Sequence, residues 1–232
     1  MISANKITKS YLHKGKRTKV FNDISFKIDK GTSVALLGRN GAGKSTLLQI
    51  LGGIDQADSG NIKSDCSISW PVGLVGGFQG SLSARENITF VTKIYSGNNK
   101  ELIEEKVRLV EEFAELGYYF DRPFKTYSSG MRSRVTFGLS MAFDFDVYLI
   151  DEVTSAGDER FRKRSRKILE QKHQTSDFIM VDHNLWGLKF HCDKALLIHD
   201  GSLLEFSNIE EGIKMHKKLL EKPAKHERSF KL

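Results

Sequence analysis

One stretch limits this chain more than any other: Gly38-Arg39-Asn40-Gly41-Ala42-Gly43-Lys44-Ser45. It fits the pattern G-x-x-x-x-G-K-[ST] without a mismatch. Ser33-Val34-Ala35-Leu36-Leu37 precedes it and reads as a central buried strand, and Thr46-Leu47-Leu48-Gln49-Ile50-Leu51 follows as a helix former. In that order the glycines let successive backbone N–H groups face a phosphate, and the helix N-terminus adds partial positive charge. Gly38, Asn40, Gly41, Ala42, Gly43 and Thr46 are the phosphate-cradle candidates. Lys44 reaches the β- and γ-phosphates, and the Ser45 hydroxyl is placed to ligate Mg²⁺. The chain is expected to bind a nucleoside triphosphate. Kinases, GTPases and motor ATPases all stay open on this motif alone.

The remaining pattern alternates strands with helices. Ile24, Phe26 and Ile28 alternate with polar residues, as in a half-buried strand. Between Ser83 and Leu116, apolar residues such as Ile103, Val107, Val110 and Phe113 recur at helical spacing, and Gly97-Asn98-Asn99 separates two helices. Beyond Arg134 come strands at Val147 to Ile150, Phe178 to Val181 and Ala195 to Ile198, with helices between them. The expected class is α/β, a largely parallel sheet with a helical block inserted at about residues 81–140. The Val147–Ile150 strand ends in Asp151-Glu152, which puts the acids at the sheet edge beside the phosphates. Asp151 suits Mg²⁺ and its waters; Glu152 suits a base that orients or deprotonates attacking water. The blander alternative is that both acids cap the next helix.

Charge narrows the partners. Thirty-six Lys and Arg against 29 Asp and Glu leave +7, with a pI near 9.3, which invites nucleic acid, an anionic membrane or a phosphorylated ligand. Residues 214–232 hold seven Lys or Arg and two Glu, so +5 belongs to a basic C-terminal tail. Nucleic acid is therefore a poor explanation of the charge. The run Arg160-Phe161-Arg162-Lys163-Arg164-Ser165-Arg166-Lys167 reads as a solvated helix face. No apolar run approaches the ~20 residues of a membrane span, and the first residues lack a segment of secretion-signal length. Cys66 and Cys192 are too far apart in sequence for a CxxC metal site. A cytosolic globular protein is expected.

Two further motifs complete a set. Tyr127-Ser128-Ser129-Gly130-Met131 opens a helix before the acid pair, and Val181-Asp182-His183 follows the next strand. In order and spacing, the phosphate loop, Ser-x-Gly helix start, strand-Asp-Glu and final histidine resemble the ATP-binding cassette ATPases over roughly residues 1–205. The resemblance implies a P-loop fold with a RecA-like core, an N-terminal antiparallel β-subdomain and an inserted α-helical subdomain. It also implies one nucleotide-binding domain over 1–213, followed by the tail at 214–232. Two copies would bind head to tail around two ATP molecules with Mg²⁺. Ser128, Ser129 and Gly130 would then meet the γ-phosphate held by the partner's phosphate loop. The family's usual Leu-Ser-Gly-Gly-Gln is altered at Tyr127, Ser129 and Met131, so any contact from the final glutamine is lost. His183 matches the switch histidine, with Asp182 where serine is usual. Asp158, after Ser155-Ala156-Gly157, matches the cross-dimer loop; a polar turn before a helix is its alternative. Tyr11 matches the aromatic that stacks on adenine, or else is a core residue. Gln79 matches the glutamine linking Mg²⁺ to a membrane partner, or else is an exposed amide.

The stretches Ser69–Leu82 and Lys125–Arg134 closely resemble ATPases of Gram-negative capsular polysaccharide exporters of the polysialic acid type. That resemblance implies a homodimer at the cytoplasmic face of the bacterial inner membrane, beneath a separate integral membrane permease that handles the polysaccharide. ATP binding would close the dimer, and hydrolysis with Glu152 as base would reopen it. O-antigen and teichoic acid exporters share parts of both stretches and are the alternative. A soluble cassette acting on DNA or the ribosome is disfavoured by the single cassette and the lack of sustained heptads. A small-molecule kinase has no use for the Ser128 motif and His183.

Overall fold

The computed structural model describes residues 1–13, 15–73, 77–151 and 158–221. The strands are β1 (Ile2–His13), β2 (Lys16–Ile28), β3 (Val34–Gly38), β4 (Ser59–Ser64), β5 (Ile68–Val72), β6 (Val147–Asp151), β7 (Asp177–Val181), β8 (Lys194–His199) and β9 (Ser202–Phe206). The helices are α1 (Lys44–Leu51), α2 (Ala84–Ser96), α3 (Lys100–Ala114), α4 (Ser129–Ala142), α5 (Glu159–His173), α6 (Leu185–His191) and α7 (Ile209–Leu220). They fall into two compact units, Met1–Ser67 with Asp177–Leu232, and Ile68–Ser176.

In the first unit, period-two alternation makes the antiparallel sheet β2-β1-β4. The register Ile2↔Ile28, Ala4↔Phe26 and Ile7↔Ile24 puts all six apolar side chains in the buried set. The uninterrupted apolar run of β3 has the opposite consequence: every residue is buried, as in a strand flanked on both faces. It lies between β7 and β8, both parallel to it, and β9 closes the edge antiparallel to β8. Ser33 ties the three parallel strands at their start. Its N–H donates to Asp193 Oδ2 at 2.9 Å, its Oγ accepts from Phe178 N–H at 2.9 Å, and its carbonyl accepts from Lys194 N–H at 3.3 Å.

The second unit is mostly helical. Apolar residues three and four apart give α2, α3 and α4 a shared core that includes Ile88, Val107, Val110, Val135 and Leu139. Ser83 opens α2 with a capping box to Glu86, and Asn99 opens α3, so the Gly97-Asn98-Asn99 break is a C-terminus followed by a cap. β5 pairs in parallel with β6, matching Ile68 to Val147 and Val72 to Ile150. Pro71 is tolerated because β5 is an edge strand. Trp70 stacks among Tyr95, Phe143 and Phe145 at 5.1–5.7 Å, with its indole N–H donating to Ser140 Oγ at 2.9 Å. No helix among the described residues is long and apolar enough to cross a membrane.

Candidate nucleotide site

The phosphate loop leaves β3 at Gly38 and enters α1 at Lys44. Gly43 is the N-cap of α1 with φ 103°, a backbone that favours glycine. A Cβ added there would lie 2.4 Å from Val20 Cγ1, so the position excludes side chains on two grounds. The other described α-helices each begin with a side-chain cap: Ser83, Asn99, Ser128, Asp158, Asn184 and Asn208. α1 has neither a side-chain cap nor an acid in its first turn. The partial positive charge of its N-terminus is thus not offset by a side chain of its own first turn, which favours an anion there. The Lys44 ammonium folds back, donating to the carbonyls of Gly38 at 2.9 Å and Arg39 at 3.1 Å. Asn40, Gly41 and Ser45 are exposed, while Ala42 and Thr46 are half-buried.

His183 follows β7, which pairs directly with β3, so the histidine and the phosphate loop leave neighbouring parallel strands at the same end. It is exposed. Asp182, in place of the usual serine, shapes the turn: its carboxylate accepts from Asn184 N–H at 2.7 Å, and Asn184 in turn caps α6. Tyr11 is no core residue. The residue is 41% exposed, its hydroxyl donates to Asp55 Oδ2 at 2.6 Å, and the Lys9 ammonium lies 4.9 Å from the ring centre. Lys9 also donates to Asp55 Oδ1 at 2.6 Å. That ammonium, and then the Tyr11 hydroxyl, hold the Asp55 carboxyl below the usual carboxylate range. Burial, then the Asp55 hydrogen bond, pushes the Tyr11 phenol up.

The other candidates belong to the second unit. Asp151 ends β6 and is half-buried, whereas Glu152 lies outside the described residues, with Ser155, Ala156 and Gly157. Ser128 caps α4, accepting from Met131 N–H at 3.2 Å, and Ser129 and Gly130 form its first turn. The departures at Tyr127 and Met131 have an internal cause. Tyr127 is buried and donates to Tyr119 O at 2.6 Å, and Met131 packs against the same core. Gln79 is exposed; its backbone is fastened to Asn87, which accepts from Gln79 N–H at 2.7 Å and donates to Gln79 O at 3.1 Å.

Asp158, expected to reach across a dimer, has both carboxylate oxygens bonded within its own chain. One caps α5 by accepting from Phe161 N–H at 2.8 Å; the other accepts from Arg134 at 2.5 Å. These two contacts, the cap first, hold its carboxyl below the usual range. Arg134 also donates to Ala114 O at 3.3 Å and stacks over Phe161, so one guanidinium joins α3, α4 and α5. The Lys and Arg side chains of the basic run that follows are exposed, as a solvated face requires, and two Arg among them also make ion pairs. Arg164 and Arg160 both meet Glu115, at 2.8 and 3.4 Å. Asp55 and Arg134 are not singled out from sequence because their partners are remote in the chain, and Asn87 is not because no motif marks its bonds to Gln79 and Ser83.

The family model described as ABC transporter matches residues 21–155. The chain belongs to the ABC transporter family. It is 52% identical to the polysialic acid transport ATP-binding protein KpsT of Escherichia coli, over 94% of this chain and 96% of that one. It is 41% identical to the capsule polysaccharide export ATP-binding protein CtrD of Neisseria meningitidis serogroup B, over 94% of this chain and all of the other. Among solved structures, the ATP-binding cassette MJ0796, a dimer bound to ADP and Pi, superposes with TM-score 0.73 at 20% identity, covering 90% of this chain and 99% of that one. The fold is that of an ABC cassette, and the activity of the family is ATP hydrolysis.

Proposed function

We propose that this ABC ATPase is the nucleotide-binding subunit of a capsular polysaccharide exporter. The observation that carries this is the 52% identity to KpsT along nearly the whole of both chains. Two copies bind head to tail, each holding ATP on Gly38–Thr46, with the adenine against Tyr11. Ser128, Ser129 and Gly130 of the second copy close over the γ-phosphate. The Lys44 ammonium exchanges its two loop carbonyls for phosphate oxygens. His183 contacts the γ-phosphate and Glu152 takes the proton of attacking water. Asp158 shapes the dimer-facing loop through Arg134 and the start of α5.

Ser45, Gln79 and Asp151 offer hydroxyl, amide and carboxylate oxygens, the donor chemistry Mg²⁺ takes, and few protein ligands suit an ion that keeps waters and phosphate oxygens. Bound there, Mg²⁺ neutralises charge on the phosphates. The conformational cycle is passed to an integral membrane permease that handles the polymer, which places this subunit at the cytoplasmic face of the inner membrane. Nucleic acid has no part in it.

The test is genetic. Deleting the gene is expected to remove polysaccharide from the cell surface while polymer accumulates inside, with recovery on supplying the wild-type chain. Normal surface polymer after deletion would contradict the proposal.

A further inference from the structure

The motif pattern leaves Arg39 unassigned, yet this residue is held at both ends. Its carbonyl accepts from Lys44 Nζ at 3.1 Å and from Ala42 N–H at 3.1 Å, so it is the internal anchor of the phosphate loop. Its guanidinium donates to the carbonyl of Leu219 in the last turn of α7, at 3.4 Å. That carbonyl needs a donor. In a continuing helix it would accept from the N–H of residue 223, but residue 223 is Pro223 and has none. A cation at a helix C-terminus also meets the negative end of the helix dipole.

α7 is not a loose terminal helix. Ile209 and Ile213 are buried, and Ile209 N–H donates to Asp193 O at 3.0 Å. Gly212 lets the helix approach so closely that an added Cβ would be 2.4 Å from Ala195 Cβ and 3.5 Å from Leu37 Cδ1. Leu37 is the residue before Gly38, so the helix braces the strand that delivers the phosphate loop. On the same helix, burial and then the positive charges of Lys44 and Arg39 push the His216 imidazole below its ordinary range, as its nearness to the loop requires. Residues 214–220, expected to begin a basic tail, are the last turns of this brace.

We infer that α7 is part of the nucleotide-binding machinery, and that Arg39 is a positioning residue coupling its C-terminal turn to the phosphate loop. The inference rests on the reading of Gly38–Ser45 as the ATP site.

The experiment measures ATP affinity and melting temperature on five purified chains: wild type, Arg39→Ala, Arg39→Lys, the chain ending at Lys214, and that truncation combined with Arg39→Ala. The truncation keeps Ile209, Gly212 and Ile213, and so keeps the buried face. Arg39→Ala is expected to weaken ATP binding about 3- to 10-fold, the weight of one ordinary hydrogen bond, with little change in melting temperature. Arg39→Lys, which keeps a donor and the charge, recovers part of the loss. In the truncated chain Arg39→Ala is expected to add nothing further. Unchanged affinity in Arg39→Ala, or an equal loss in the full-length and truncated chains, would overturn the coupling. Lys44→Ala is the separate control: full ATP affinity there removes the phosphate-loop reading itself.

Discussion

At Gly130 the backbone does not require glycine, and a Cβ added there would meet nothing within 4 Å. A glycine with no demand from its own chain leaves an outside demand, and the proposed function supplies one in the γ-phosphate of the second copy's ATP. Gly130→Ala is therefore expected to change stability by less than about 0.5 kcal/mol while ATP turnover falls at least about tenfold. Turnover equal to wild type would take Gly130 out of the site. Asp55 shows a different balance, with Lys9 and Tyr11 both bonded to it. Because its folded carboxyl is held below the ordinary value of 3.8, its stabilisation is complete above that value. It is lost as pH falls through the depressed folded value. Asp55→Asn should cost about 1–3 kcal/mol at neutral pH and flatten the acid limb of stability; urea melts at several pH values check both, and an unaltered acid limb would contradict it. The phosphate loop was legible because its chemistry is local: eight consecutive residues carry it. At Asp158 the capping of α5 fits the alternative of a polar turn before a helix, whereas its bond to Arg134, 24 positions away, leaves no trace in spacing.

Elements were largely readable from periodicity. The buried run of β3 lies where hydrophobic patterning put it, and the break between α2 and α3 lies at the turn residues Gly97-Asn98-Asn99. The packing between elements was not readable, because it depends on close approaches that no one-dimensional pattern records. α4 carries both cases. Gly130 in its first turn is open, whereas at Gly138 an added Cβ would be 2.9 Å from Phe113 Cδ1 and 3.2 Å from Val110 Cγ1 of α3. Gly138→Ala is expected to lower stability by about 1–3 kcal/mol through overpacking, opposite in kind to the loss at Gly130. Thermal melts of the two variants side by side separate the roles; equal melting temperatures would mean that α3 and α4 tolerate the added methyl group. On α5, Arg160 and Arg164 are exposed as their sequence run suggests, and their shared partner Glu115, just beyond α3, is the part that spacing does not record.

For the whole molecule, the site residues divide between two compact units. The phosphate loop, Tyr11 and His183 lie in one, and Asp151, Gln79, Ser128–Gly130 and Asp158 in the other. In the proposed dimer a second copy completes the nucleotide site, so ATP binding and association are linked: a ligand that binds only the dimer stabilises the dimer. The net charge of +7 suggests nucleic acid at first sight; in the proposed function the anion that matters is a triphosphate met by backbone N–H groups and one ammonium. The measurement that bears most directly on this account is the mass in solution of the Glu152→Gln chain, by light scattering, with and without ATP and Mg²⁺. The account predicts a monomer without nucleotide, a stable dimer with ATP, and no detectable turnover. A Glu152→Gln chain that binds ATP and remains monomeric, or that hydrolyses it at the wild-type rate, would contradict it.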